Sequence, residues 1–187
     1  MTAHKTYIWQ KTNLHSLNWQ DSALSQLLAE VNLLRGKLFG RLSMFGFKEQ
    51  NEEMLSVLTN EIIHSSEIEG ERLNRDSVRS SVARQLSLPH EGLPKPDHYT
   101  EGVVQVMLNA TQHYAQQLDS DRLFAWHSAL FPTGYSGIYK ITVAHWRQGD
   151  EPMQVVSGTL GHQKVHYEAP PSNRVTPMME DYFEWIA

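Results

Sequence analysis

The chain has 187 residues, of which 40% are hydrophobic and 20% charged, and its mean hydropathy is -0.46. These values predict one folded domain or two small ones, and they exclude a disordered chain. No apolar run approaches the ~20 residues of a bilayer span, so no membrane segment is expected. The absence of cysteine excludes disulfides and thiolate metal sites, and a formal net charge of -5 without a basic cluster predicts a poor electrostatic binder of nucleic acid for this part. We therefore expect a cytoplasmic protein without a secretory signal.

Leucine and valine residues at helical spacing predict an amphipathic helix that follows residue 20. Its apolar stripe contains Leu24, Leu27, Leu28, Val31, Leu34 and Leu38. A second helix is predicted to begin near residues 49–53, because carboxylates stabilise a helix N-terminus. Its stripe contains Leu55, Leu58 and Ile62.

The stripe of the second helix continues into polar residues. Steps of three and four from Ile62 reach Ser65 and Glu69, and Gly70 is a suitable end because glycine accepts the left-handed conformation. Either the helix end emerges into solvent, or Glu69 faces a cation, since a buried carboxylate without a partner would neutralise. The residue one turn further on is Leu73, so any basic partner must come from another element.

Three more helices and a linker are predicted up to residue 131. Asn74 is the expected N-cap of the third helix, whose inner face holds Val78, Val82 and Leu86. Residues 88–98 contain three prolines and a glycine, which exclude a regular element and mark a subdomain boundary. The fourth stripe contains Val103, Met107, Ala110, Tyr114 and Leu118. Residues 119–121 cap a fifth helix, with Leu123, His127, Leu130 and Phe131 inward.

The remaining sequence is rich in β-branched and aromatic residues. It predicts a strand-like segment at residues 141–146 and a hairpin from residues 153–156 through the turn SGTLG to residues 164–167. This hairpin either packs on the helices or offers a strand edge to an extended peptide. A last helix is expected to begin with Thr176 and Pro177 and to present Met179, Phe183 and Ile186. Since the sequence stops within this apolar stripe, we expect it to be part of a longer chain.

Short catalytic motifs do not occur in the sequence: there is no nucleotide-binding loop, no hydrolase elbow and no HExxH zinc motif. His162 and His166 are four residues apart, which on a helix would suit a metal ion. Four residues of a strand span ~13 Å, too far for one ion. We predict no metal site and interpret both histidines as surface or cross-strand residues.

Five longer stretches resemble the N-terminal half of bacterial Fic proteins. They are YIWQ, GRLSMFGF, IIHSSEIEGERLNRDSVRSSVARQL, WHSALFPTGYSGIYKITVAHWR and MQVVSGTLGHQKVHYEAPP, and together they extend over nearly the whole chain. The expected fold is mainly α, a helical bundle with a β-hairpin flap. By this resemblance residues 1–87 are an N-terminal helical domain with an inhibitory helix, residues 88–98 a Pro-rich linker, and residues 99–187 the first, incomplete part of a Fic core.

In that family the motif S/T-x-x-x-E-G/N marks an autoinhibitory helix, and Ser65, Glu69 and Gly70 match its positions here. Family members transfer AMP from ATP to a hydroxyl side chain of a target protein. Their inhibitory glutamate pairs with an active-site arginine that would otherwise hold the ATP γ-phosphate. The resemblance implies that Glu69 competes with ATP in this way.

The resemblance also gives the hairpin a role, the docking of an extended target segment. The residues expected to contact the target are Met153, Gln154, Val155 and Val156.

The family's catalytic motif, HPFx(D/E)GNGRxxR, is absent from this sequence, and with it the catalytic base, the Mg²⁺ ligand and the phosphate-binding arginines. We therefore expect no catalytic residue and no tightly bound cofactor in this chain, and no AMP transfer by the chain alone. ATP and Mg²⁺ are the expected cofactors of the intact protein.

The alternative is a stand-alone module that inhibits a Fic core in trans. The expected partner is a protein substrate, a homodimer is a further possible assembly, and neither a membrane nor nucleic acid is expected.

Overall fold

The computed structural model describes residues 6–11, 18–44, 46–159 and 161–187. Six α-helices are present there: α1 Asp21–Leu42, α2 Phe47–Ile68, α3 Arg75–Gln85, α4 His98–Gln112, α5 Ser120–Leu130 and α6 Ser172–Ile186. A short 3₁₀ turn, Ile8–Gln10, precedes them. Two antiparallel hairpins pair β1 Tyr135–Ser136 with β2 Tyr139–Lys140, and β3 Gln154–Ser157 with β4 Lys164–Glu168. The prediction of a mainly α fold with a β-hairpin is confirmed. No helix of the described ranges combines the length and the apolar character needed to cross a bilayer.

The hydrophobic core lies where α2, α3 and α4 meet. Its buried side chains are Leu55, Ile62, Ile63, Val78, Val82, Ala83, Val104 and Leu108. The predicted stripes of α2 and α3 supply half of them, Leu55, Ile62, Val78 and Val82, while the predicted Leu58 and Leu86 pack at the margin. The residues that α4 adds to this cluster are Val104 and Leu108, while the predicted Val103 and Met107 pack only at its margin. Because each fully buried aliphatic side chain contributes about 1.5–3 kcal/mol, this cluster holds the three helices together.

Residues 88–98 connect α3 to α4 without a strand, as their prolines predict, and α3 and α4 share the core across them. α4 begins at His98 because Asp97 caps it. One carboxylate oxygen accepts a hydrogen bond from the Thr100 N–H at 2.7 Å, and the other accepts one from the Thr100 hydroxyl at 3.1 Å. The backbone hydrogen bond from Thr100 is the main cause that lowers the pKa of Asp97.

The predicted caps of α3 and α5 are also present. The Asn74 side chain accepts a hydrogen bond from the Ser77 N–H at 3.0 Å, and the Asp119 carboxylate accepts one from the Arg122 N–H at 2.8 Å. Each cap satisfies a backbone donor that has no partner within its own helix. Short polar side chains at these two positions therefore define where the helices start.

Three predictions of secondary structure are wrong, namely one helix end, one strand and one helix start. α4 ends at Gln112, so Tyr114 lies beyond it and is 81% exposed. Residues 141–146 form no strand: the pairing of the β1–β2 hairpin reaches Ile141, whose N–H donates to the Gly134 carbonyl at 2.9 Å, and Ala144 then adopts a φ of 57°, which no strand residue has. α6 begins at Ser172, so Pro177 lies inside the helix instead of at its start. The Ser172 hydroxyl, which donates to the Gly149 carbonyl at 2.7 Å, anchors the additional first turn.

Candidate functional site: the end of α2 and the β3–β4 hairpin

α2 ends in a Schellman turn that places Glu69 at the helix C-cap. The Gly70 N–H donates to the Glu67 carbonyl at 3.0 Å, and the Glu71 N–H donates to the Ser66 carbonyl at 2.9 Å. Gly70 adopts the left-handed conformation that this turn requires, with a φ of 84°. The prediction that Gly70 ends the helix is thereby confirmed. The backbone position of Glu69 is fixed by two hydrogen bonds and by a glycine.

The sequence motif is presented on the surface at this turn. Ser65 is half-buried, whereas Glu69 and Gly70 are exposed. No ion pair of Glu69 is found within the described ranges, and Arg75, at the start of α3, donates instead to Asn60 Oδ1 at 2.6 Å. This position is compatible with a solvated helix end and with a carboxylate whose partner lies outside this part of the protein.

Tyr99, in the first turn of α4, is a neighbour of this turn that sequence reasoning missed. Burial raises the pKa of the Tyr99 hydroxyl, and the negative charge of Glu71 raises it further. The two residues are far apart in sequence and are separated by the Pro-rich linker, so no spacing pattern relates them. The charge at the end of α2 therefore acts on the first turn of α4.

Replacing Gly70 with alanine is expected to lower the free energy of unfolding by about 1 kcal/mol, because an L-residue in the left-handed region costs about that much. Space is not the cause, since no atom lies within 4 Å of a Cβ added at Gly70. Gly70→Asn is the matched control and should lose less, because asparagine tolerates this conformation. Urea unfolding of the three proteins measures the difference. Equal losses in both variants would contradict a conformational cause.

The predicted hairpin is confirmed, and its first strand is exposed. Gln154 pairs with Glu168 and Val156 with Val165, with an irregularity in the register between Val155 and Val156. The predicted docking residues Met153, Gln154, Val155 and Val156 are all exposed. Within the described ranges β3 pairs only with β4, so its outer edge is open to a further strand.

The 3₁₀ turn near the N-terminus holds the other strand of the hairpin. The indole N–H of Trp9 donates to the Glu168 carbonyl at 2.7 Å, and the Tyr7 ring meets the Tyr167 ring edge-on at 5.7 Å. The guanidinium of Arg174 lies over the Trp9 ring at 5.5 Å, which connects this contact to α6. Of the two strands of the hairpin, these N-terminal residues thus contact β4, and the outer edge of β3 remains accessible.

The two histidines of the hairpin region occupy exposed positions. His166 Nε2 lies 2.6 Å from the Ser157 hydroxyl across the strands, so its interpretation as a cross-strand residue is confirmed. In the part of the chain that the structure describes, no group of three or more metal-binding side chains comes together.

Comparison with known proteins adds one similarity. No curated protein matches the chain. Residues 7–88, which include α1, α2, the Schellman turn at Glu69 and α3, are similar to a family described as a domain of unknown function, DUF4172.

Proposed function

We propose that this chain is the regulatory, N-terminal part of a Fic-type protein adenylyltransferase, which transfers AMP from ATP to hydroxyl side chains of target proteins. The observation that carries the proposal is the exposed carboxylate of Glu69 at the C-cap of α2, within the sequence S-x-x-x-E-G. In the proposed mechanism this carboxylate binds an arginine of the catalytic part. That arginine is then unable to hold the γ-phosphate of ATP.

The surroundings of Glu69 suit such a competitive contact. Ile62 and Ile63, about two turns earlier in α2, are buried in the core, so the helix end is firmly attached. The Schellman turn fixes the backbone at Glu69 before any partner binds. A pre-organised carboxylate loses little conformational entropy when it forms a bidentate ion pair with arginine. A moderate coupling free energy of about 1–3 kcal/mol would then be enough to regulate ATP binding.

The open edge of β3 supports the proposed docking of a target protein. An extended segment that pairs with residues 153–156 would be held by backbone hydrogen bonds, which make few demands on sequence. Its hydroxyl side chain would be positioned by strand register, since neighbouring side chains alternate between faces. The proposal therefore assigns regulation to α2 and substrate positioning to β3.

The proposed chemistry needs residues that this sequence does not contain, namely the base, the metal ligand and the phosphate-binding arginines of the catalytic motif. ATP and Mg²⁺ are accordingly assigned to a catalytic part of the whole protein. We expect no AMP transfer when the 187 residues are incubated with labelled ATP and Mg²⁺ alone.

Glu69→Gln in the natural protein that carries this sequence is expected to increase self-modification with labelled ATP by at least about fivefold, because the arginine becomes free for the γ-phosphate. Glu67→Gln is the matched control, since Glu67 is exposed on the same turn and should leave activity unchanged. Equal activity of Glu69→Gln and the unaltered protein would contradict the proposed inhibition.

The intact mass of the natural protein distinguishes this proposal from regulation in trans. A further domain of ordinary size would give roughly twice 21.5 kDa. A mass near 21.5 kDa would contradict the proposed enzyme. It would support the alternative, in which the exposed Glu69 inhibits a separate Fic core.

A further inference from the structure

α1 presents an apolar surface that the rest of the described structure leaves uncovered. Val31 is 59% exposed and Leu34 is 65% exposed, although both belong to the apolar stripe expected from the sequence. Among the element pairs that pack closely in the described ranges, none includes α1. A contiguous apolar surface of this kind generally marks an interaction site. This feature is independent of the function proposed above.

The spacing of the exposed residues selects a helix as the partner. The apolar positions Leu24, Leu27, Val31, Leu34 and Leu38 alternate in steps of three and four, as positions a and d of a heptad repeat do. With 22 residues, α1 is about 33 Å long, which is enough for about three heptads. Such a seam fits a second helix of the same spacing, and another copy of α1 provides one.

We propose that α1 pairs with α1 of a second copy of the chain in an antiparallel coiled coil. Val31 of one copy would face Leu34 of the other, and the two-fold symmetry would repeat this contact. Leu27 would then face Leu38 of the second copy. The apolar stripe of each helix thereby becomes buried against its equivalent.

Arg41 decides between the two orientations, because Glu30 finds an opposite charge in both. In the antiparallel register Glu30 lies next to Lys37 of the second copy, and in a parallel pair it would lie next to Arg35. In a parallel pair, Arg41 would face its own equivalent at a d position, and like charges would repel. In the antiparallel pair the aliphatic part of Arg41 covers Leu24 of the second copy instead.

Sedimentation equilibrium of the 187-residue chain tests the proposal. The unaltered chain should form a dimer whose population rises with concentration. Leu34→Glu should raise the dissociation constant by about 100-fold, since the change enters the seam twice. Leu33→Glu is the matched control: Leu33 is 59% exposed but lies off the seam, so the constant should change by less than about threefold. A monomer at every concentration, or equal effects of the two variants, would overturn the proposal.

Charge reversal tests the orientation. Glu30→Lys should weaken the dimer, and the further change Lys37→Glu should restore it. If Arg35→Glu restores association instead, the helices are parallel and the proposed arrangement is wrong. Circular dichroism of each variant shows whether α1 remains helical, so that a loss of dimer is assigned to the interface and not to unfolding.

Discussion

Replacing Gly102 with alanine is expected to lower the free energy of unfolding by about 2–4 kcal/mol, because a methyl group there overlaps the backbone of the neighbouring helix. Gly102 is buried in α4. A Cβ added to it would overlap the carbonyl oxygen of Ala129, in α5, and lie 2.8 Å from the carbonyl carbon. A backbone carbonyl cannot rotate away as a flexible side chain does, so α5 must move. The gain in helix propensity, about 1 kcal/mol, offsets only part of this cost.

Gly36→Ala provides the matched control for this experiment. Gly36 also lies inside a helix, α1, but nothing is found within 4 Å of a Cβ added there. It should therefore show the gain in helix propensity without the clash. Thermal unfolding should give a decrease of about 5–15 °C for Gly102→Ala and no decrease for Gly36→Ala. Similar melting temperatures of the two variants would show that α4 and α5 do not approach as closely as the structure indicates.

The contact at Gly102 also matters for the candidate site, because α5 is followed by the segment that leads to the β3–β4 hairpin. The Ala144 N–H donates to His127 Nδ1 at 3.2 Å, and the Phe124 ring lies 4.9 Å from the Trp146 ring. A shift of α5 would move this segment away from α4. In the proposed function, Gly102→Ala should thus weaken target modification more than it weakens inhibition by Glu69.

The parts of the fold that were predicted correctly are those with a local physical cause. The stripes of α2 and α3 have one face toward one core, and the helix starts at Asn74 and Asp119 rest on hydrogen bonds within three residues. Two of the wrong predictions concern contacts between distant residues. The start of α6 depends on Gly149, and the strand at 141–146 is interrupted at Ala144, whose N–H donates to His127 Nδ1. No pattern in a single sequence relates such positions.

At the candidate site, too, the sequence predicted the locally determined features and missed those that depend on tertiary packing. Spacing and composition located the glycine at the end of α2 and the strands of the hairpin. They did not show that Glu69 is exposed, since periodicity extended the stripe beyond the point where the core ends. They also missed Tyr99 beside the turn and Trp9 behind β4, both brought there by tertiary packing. The exposed stripe of α1 is a correct helix prediction whose partner is not found in the described structure.

Replacing Arg122 with alanine is expected to lower the free energy of unfolding by about 2–4 kcal/mol, because this side chain holds the C-terminal end of α4 onto α5. Its guanidinium donates at 2.9 Å to the side-chain oxygen of Asn109 and at 2.9 Å to the carbonyls of Asn109 and His113. A fourth hydrogen bond reaches the Gln116 carbonyl at 2.8 Å, and the group lies 5.1 Å from the centre of the Trp126 ring. A cation beside these carbonyls also stabilises α4, because it interacts favourably with the negative end of the helix dipole.

The geometry of this contact separates the role of charge from that of shape. Arg122→Lys keeps the positive charge but cannot reach several carbonyls with one planar group, so about half of the loss is expected. Arg84→Ala, which removes an exposed arginine from the last turn of α3, should change stability by less than about 1 kcal/mol. Urea unfolding of the three variants measures these values. If Arg122→Lys were as stable as the unaltered protein, the positive charge alone would account for the stabilisation of α4. If Arg84→Ala lowered the free energy of unfolding as much as Arg122→Ala, the hydrogen bonds of Arg122 to α4 would not be the cause of the loss. A graded loss instead assigns the stability to the fork of donors. Since α4 packs against the core on one side and α5 on the other, Arg122 then strengthens one of the contacts, together with Gly102, by which α5 is attached to the core.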